Sequence, residues 1–148
     1  MLKEKQCQHV VLARMNRLGQ NQIVMNISTS TNELILNADT EVVAAKEVLV
    51  LHCTGYVDAT TFNDFQSAIM GLLEQQQNNL VLDMSGITYI HSTGYGLLLT
   101  AHRQAQSKGG NLVIAGFSSK VTNVFNLLGF DHIIPTFPTV AEALASFS

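Results

Sequence analysis

Charge is scarce in this chain of 148 residues. Lys, Arg, Asp and Glu make up 13% of it, about half the usual share. The eight basic side chains are outnumbered by eleven acidic ones, a formal net charge of −3. With no basic excess there is no electrostatic footprint for nucleic acid, and that class of partner is excluded. Cysteine is equally sparse. Cys7 and Cys53 stand far apart, with no CxxC and no Cys/His cluster, so a disulfide scaffold and a structural zinc site are both excluded. Two ordinary thiols imply a reducing compartment. Long apolar runs are missing too. None approaches the ~20 residues that span a bilayer. Lys3 and Lys5 are not followed by the apolar core and small-residue cleavage site of a leader. The expectation is a cytoplasmic protein with no membrane segment and no cofactor.

What the chain does have is apolar mass. Hydrophobic residues reach 47%, enough for a sizeable core, and disorder is excluded as a description of the whole. Asn and Gln together number 21 against 19 charged residues, which makes the surface neutral and amide-rich. The charge that exists is unevenly placed. Residues 1–38 carry Lys3, Lys5, Arg14 and Arg17 against Glu4 and Glu33, net +2, whereas residues 39–148 carry four bases and nine acids, net −5. The first segment is expected to be a peripheral extension, or a dimerising or partner-binding arm. Within it Val11, Met15 and Leu18 have the spacing of a short amphipathic helix, and 23–27 has the composition of a strand.

From residue 39 the pattern is regular. A strand is expected near Thr40–Ala44 and another at Val48–Leu51, broken by Gly55. Asp58–Thr61 carry helix-start chemistry, and Phe62, Phe65, Ile69 and Leu72 form one apolar stripe ended by Asn78-Asn79. Leu80–Leu82 with Met84 read as a buried strand, and 85–90 as a connecting loop. A helix follows from Ser92, with Leu97, Leu98, Ala101 and Ala105 inward and Lys108-Gly109-Gly110 at its end. Asn111–Ala115 is a third core strand. Ser118 caps a helix with Val121, Val124, Phe125 and Leu128 inward, ended by Gly129. Ile133-Ile134 reads as a last strand and 139–147 as a last helix. Alternation of this kind implies βαβ crossovers and a small, largely parallel sheet. His52 lies in a strand, faces opposite Leu51 and Cys53, and is expected to be a structural histidine.

The stretch richest in possible chemistry runs from Leu82 to Gly96. Ser92 is placed to cap the helix by accepting from free amides of the first turn, and the same helix start would welcome a phosphate. One hydroxyl could therefore serve as a cap when bare and as a phosphoryl acceptor when modified. Gly94-Tyr95-Gly96 has two glycines of a dinucleotide fingerprint. Leu99 fills the third position, and no tight strand-to-helix turn precedes it, so nucleotide binding of that kind is rejected. His91 and Ser92 are chain neighbours whose side chains diverge, and there is no G-x-S-x-G elbow, so a triad is rejected as well.

The order of elements from 39 to 148 resembles a STAS domain, the fold of bacterial anti-sigma-factor antagonists. The resemblance rests on Leu51–Asp58, on Val81-Leu82-Asp83-Met84-Ser85-Gly86-Ile87 and on Ile90-His91-Ser92-Thr93-Gly94-Tyr95-Gly96. Three further stretches carry it: Lys108–Leu112, Leu127–Phe130 and Val140–Leu144. It implies a small mixed sheet of four to five strands, with helices packed mainly on one face, that acts as an interaction module and not as an enzyme. It implies that Ser92 is phosphorylated by an anti-sigma factor that is also a serine kinase, with Thr93 the second candidate, and that a serine phosphatase reverses the step. It implies a partner-binding surface of Asp58, His91, Ser92, Thr93, Gly94 and Tyr95. His91 stands where the family has Asp, which removes a negative charge beside the acceptor. That departure opens a second reading, a non-switching scaffold subunit of a larger complex. A third, a small α/β enzyme or ligand-binding protein, requires a deep apolar pocket at the strand ends.

Overall fold

The computed structural model describes residues 34–148 together with the strand residues 14–15 and 21–22. Two short strands, β1 (Arg14–Met15) and β2 (Asn21–Gln22), pair antiparallel. The helical spacing through Met15 thus does not give a helix at 14–15. The strand expected at 23–27 lies outside the described residues.

The main sheet has five strands in spatial order β3 (Leu34–Val43), β4 (Lys46–Val57), β5 (Asn79–Ile90), β6 (Asn111–Ala115) and β7 (Thr136–Phe137). The first pair is antiparallel and the rest are parallel. Between the parallel strands lie α1 (Phe62–Glu74), α2 (Ser92–Ser107) and α3 (Ser119–Leu127). Every crossover steps one strand in the same direction. Right-handed crossovers of that kind must put all three helices on one face. That face is the larger core. Leu49, Leu51 and Cys53 of β4, Leu80, Leu82 and Met84 of β5, and Leu112 and Ile114 of β6 meet Phe65, Ile69 and Leu72 of α1, Leu98 and Ala101 of α2, and Phe125 of α3. On the other face α4 (Val140–Ala145) covers Val48, Val50, Val81, Val113 and Ala115 with Ala143 and the following Phe147. Because β4, β5 and β6 are buried on both faces they read as unbroken apolar runs, as central parallel strands do.

Several expectations change on contact with the structure. Residues 85–90 are not a loop. β5 continues to Ile90 because β4 also continues, past Gly55, to Val57, and the two remain paired through Gly55↔Ile87 and Val57↔Ile90. The pairing absorbs two register shifts, one beside Gly55, whose φ of 120° is open to glycine. Gly86 is held close to β4, since a Cβ there would lie 2.8 Å from Thr54 Oγ1. β3 begins at Leu34 and is longer than the strand expected at 40–44. The last strand is Thr136–Phe137, not Ile133-Ile134. The amide of Ile114 takes the Pro135 carbonyl at 3.1 Å, while Ile134 turns into the core. In α3 only Val121 and Phe125 are buried. Val124 and Leu128 face out, because a helix of only nine residues presents a narrow inner stripe.

On the half of the second face that α4 leaves open, His52 bridges three strands. Its Nδ1 lies 2.6 Å from Asp83 Oδ2 in β5 and its Nε2 3.2 Å from Asp39 Oδ2 in β3. The expected structural histidine is therefore a cross-strand tie. Ser85 also donates to Asp83 Oδ1, from its hydroxyl at 2.7 Å. Partial burial pushes the Asp83 carboxyl up, but the bonds from Ser85 and His52 outweigh it and hold the group below the ordinary range. Cys53, next along β4, is a buried free thiol, and burial pushes it far up.

Two outcomes follow from this geometry. The β3–β4 hairpin turns on Ala44 and Ala45, both with positive φ (51° and 67°), a turn that prefers Asn-Gly. The Ala44→Asn, Ala45→Gly double variant is expected to gain about 1–2 kcal/mol, read as a rise in Tm of about 3 °C or more. Because the Asp83 carboxyl is depressed, its contribution is complete above the unfolded value of ~3.9 and is lost as pH falls through its lower folded value. Asp83→Asn is expected to show a shallower fall of Tm between about pH 5 and 3 than the parent chain.

Candidate functional site

The parallel strands β4 and β5 end side by side, so the loops that leave them are neighbours. The amide of His91 donates to the Val57 carbonyl at 2.9 Å and joins the two exits.

The exit from β4 is rigid. Asp58 Oδ1 accepts from the Thr60 amide (2.8 Å), the Thr60 hydroxyl (2.7 Å) and the Thr61 amide (3.3 Å). The Asp58 carbonyl accepts from the amides of Thr61 and Phe62 and so starts α1. The Thr60 hydroxyl, with the two amides and His91 adding to it, keeps the Asp58 carboxyl below its ordinary range against the pull of desolvation. Thr61 is fully buried. Its hydroxyl donates to the Tyr56 carbonyl at 2.8 Å and accepts from the Asp58 amide at 3.0 Å.

The exit from β5 differs from expectation in one informative way. The residue that caps α2 is His91, not Ser92. His91 is extended, and its Nδ1 accepts from the Gly94 amide at 3.2 Å. Its ring packs against Phe62 of α1, centroids 5.7 Å apart. Ser92 is then the first residue of the helix. It is exposed, and among the described residues its hydroxyl has no hydrogen-bond partner. A capping serine would have spent that hydroxyl on the backbone.

The six residues expected at the partner surface divide into two layers. Asp58, His91, Ser92 and Thr93 reach the outside, while Gly94 and Tyr95 lie beneath it. Gly94 lets α2 approach the sheet, because a Cβ there would stand 2.6 Å from Ile90 Cγ2. Tyr95 is 3% exposed and belongs to the main core, so these two position the surface instead of presenting it. Thr61 and Phe62 were missed as site residues. The Asp-x-x-Thr spacing was visible as a helix start, but nothing in the sequence signals that the Thr61 hydroxyl turns inward or that the Phe62 ring reaches His91.

Beside Thr93 an open groove of about 330 Å³ runs between α1 and α2, lined by Phe62, Gln66, Met70, Thr93, Gly96 and Leu97. Among the described residues no group of three or more His, Cys, Asp or Glu could hold a metal ion, and no helix is long and apolar enough to cross a membrane. The candidate site is an exposed, uncharged helix start with a groove at its side, carried on a small α/β domain with most of its helices on one face.

The family model of the STAS domain matches residues 39–143, and the chain belongs to that family. Curated relatives are anti-sigma factor antagonists. The anti-sigma F factor antagonist of Paenibacillus polymyxa is 21% identical over 110 residues, which is 74% of this chain and 94% of that protein. Among solved structures, an anti-sigma factor antagonist from Mycobacterium paratuberculosis matches with a TM-score of 0.65 at 21% identity, covering 81% of this chain and 97% of the other. SpoIIAA of Bacillus in its phosphorylated form matches with a TM-score of 0.56 at 19% identity, covering 75% and 99%. At these identities the structural likeness shows the fold alone.

The two hydroxyls of the site make opposite demands on stability. Thr61→Val keeps the shape but leaves the Tyr56 carbonyl and the Asp58 amide short of a partner. It is expected to lose about 1–3 kcal/mol in denaturant unfolding. Ser92→Ala breaks no bond among the described residues and is expected to stay within about 0.5 kcal/mol of the parent.

Proposed function

We propose that this chain is a cytoplasmic anti-sigma-factor-antagonist-type interaction module, switched by phosphorylation of Ser92. The observation that carries the reading is the exposed Ser92 at the start of α2, whose hydroxyl has no hydrogen-bond partner among the described residues. Membership of the STAS family and relatives named as anti-sigma factor antagonists support it. On this reading the working domain is the expected 39–148 together with residues 34–38, which begin β3, and the residues before Leu34 are an appended arm. The partner is an anti-sigma factor that is also a serine kinase, opposed by a serine phosphatase. Thr93 is the second acceptor.

The switch is electrostatic. Residues 84–102 contain no Asp, Glu, Lys or Arg, so a phosphate adding about −1.5 to −2 charge becomes the dominant local feature. Bare protein binds; modified protein meets desolvation and repulsion at the interface and releases. Turning a population from nearly all bound to nearly all free takes ~5.5 kcal/mol of differential binding, and a buried unpaired dianion is costly enough to supply it. A second reading, a non-switching scaffold subunit, is favoured by one observation: the family's Asp beside the acceptor is His91 here.

The test is incubation with the cognate kinase and ATP. The expected result is one added phosphate mapping to Ser92, with Ser92→Asp weakening partner binding by tenfold or more and Ser92→Ala binding without regulation. An unchanged intact mass with an active kinase, in a stable complex indifferent to both substitutions, would establish the scaffold reading instead.

A further inference from the structure

We propose that His91 makes the start of α2 sensitive to pH, its neutral imidazole accepting from the Gly94 amide and its protonated form withdrawing that acceptor. An N-cap must accept a hydrogen bond, and His91 does so through Nδ1, 3.2 Å from the Gly94 nitrogen. That places the ring proton on Nε2. The same amide also reaches the His91 carbonyl at 2.9 Å, so it is shared between two acceptors of one residue. Protonation puts a hydrogen on Nδ1. Two donors then face each other across the cap, and the ring has to turn away. The Ser, Thr, Asp and Asn side chains that usually cap helices undergo no such change between pH 5 and 8, whereas histidine does.

The ring's surroundings decide where it goes. From α1 it meets the uncharged Phe62 ring and from α2 the Gly94 amide, while the Val57 carbonyl of β4 takes the residue's backbone amide. Among the described residues the charged group that interacts with it is Asp58, on the loop between β4 and α1. An imidazolium is therefore attracted to Asp58 and can no longer accept from the Gly94 amide. The cap is closed with the neutral ring and open with the protonated one. Where the Ser92 reading holds, and this consequence rests on it, a phosphate on Ser92 favours the imidazolium. Acid and modification would then loosen the same bond.

The experiment uses the full, unmodified ¹⁵N-labelled chain and needs no kinase, so it stands whether or not Ser92 is a phosphoacceptor. Long-range ¹H–¹⁵N spectra report the His91 tautomer, and amide spectra follow Gly94 from pH 8 to 5. The expected result is Nε2–H with bare Nδ1 at pH 8, and a Gly94 amide shift whose midpoint matches the ring's. Exchange of that amide, corrected for its intrinsic pH dependence, should rise about fivefold on protonation, the equivalent of a typical cap. His91→Asn keeps an acceptor at every pH and should leave Gly94 flat, with the remaining amide shifts showing an intact fold. A proton on Nδ1 at pH 8, or a Gly94 titration that persists in His91→Asn, overturns the proposal.

Discussion

The site depends on the parallel pairing of β4 with β5 being carried to its limit, through Val57↔Ile90 and on to the His91 amide on the Val57 carbonyl. That last bond brings the Asp58 turn and the α2 start together. Without the register shifts near His52 and Gly55 the two strands would run out of step, and their exits would diverge. The glycines at 55, 86 and 94 serve this one end. Gly55 takes a backbone angle closed to other residues, and Gly86 and Gly94 allow contacts that a Cβ would block. The opposite face is tied by His52 between Asp39 and Asp83, in the same stretch of strand where the register changes.

A single position, residue 91, sets much of the site's character. It caps α2, packs on α1 and interacts with the carboxylate of the neighbouring loop. With histidine there, capping no longer needs a serine or a carboxylate. Ser92 is left free, and the stretch around it is left without a fixed charge. A surface of this sort has little long-range attraction for a partner. Its recognition has to come from shape, amide and hydroxyl contacts, and the groove between α1 and α2, while any charge added to it has an outsized effect.

Most of the fold was legible along the chain because its central strands are buried on both faces and its helices on one. Continuous runs such as Leu80–Leu82 and stripes such as Phe65, Ile69 and Leu72 follow from that burial. Legibility failed where neither pattern applies. Residues 85–90 alternate irregularly because a bulged strand changes face. Val124 and Leu128 keep helical spacing although both remain partly exposed. At the site, Ser92 and Asp58 were readable as functional candidates, but the capping role was assigned to the wrong neighbour. Ser is the commoner cap, and which of two adjacent residues stays extended is settled by strand pairing.

That α1, α2 and α3 share one face was implied by the resemblance to STAS domains; the sequence by itself determined the βαβ alternation of the fold and the neutrality of the region around Ser92. These depend on periodicity, chain order and composition, which are local or one-dimensional properties. The tertiary structure alone decided that β4 and β5 run on to Val57 and Ile90, that Gly94 and Tyr95 lie under the surface, and that Ser92 is free while His91 caps. Those outcomes are set by hydrogen bonds and close contacts between segments distant in the chain, such as Val57 with His91 and Phe62 with His91, and no pattern within either segment encodes them.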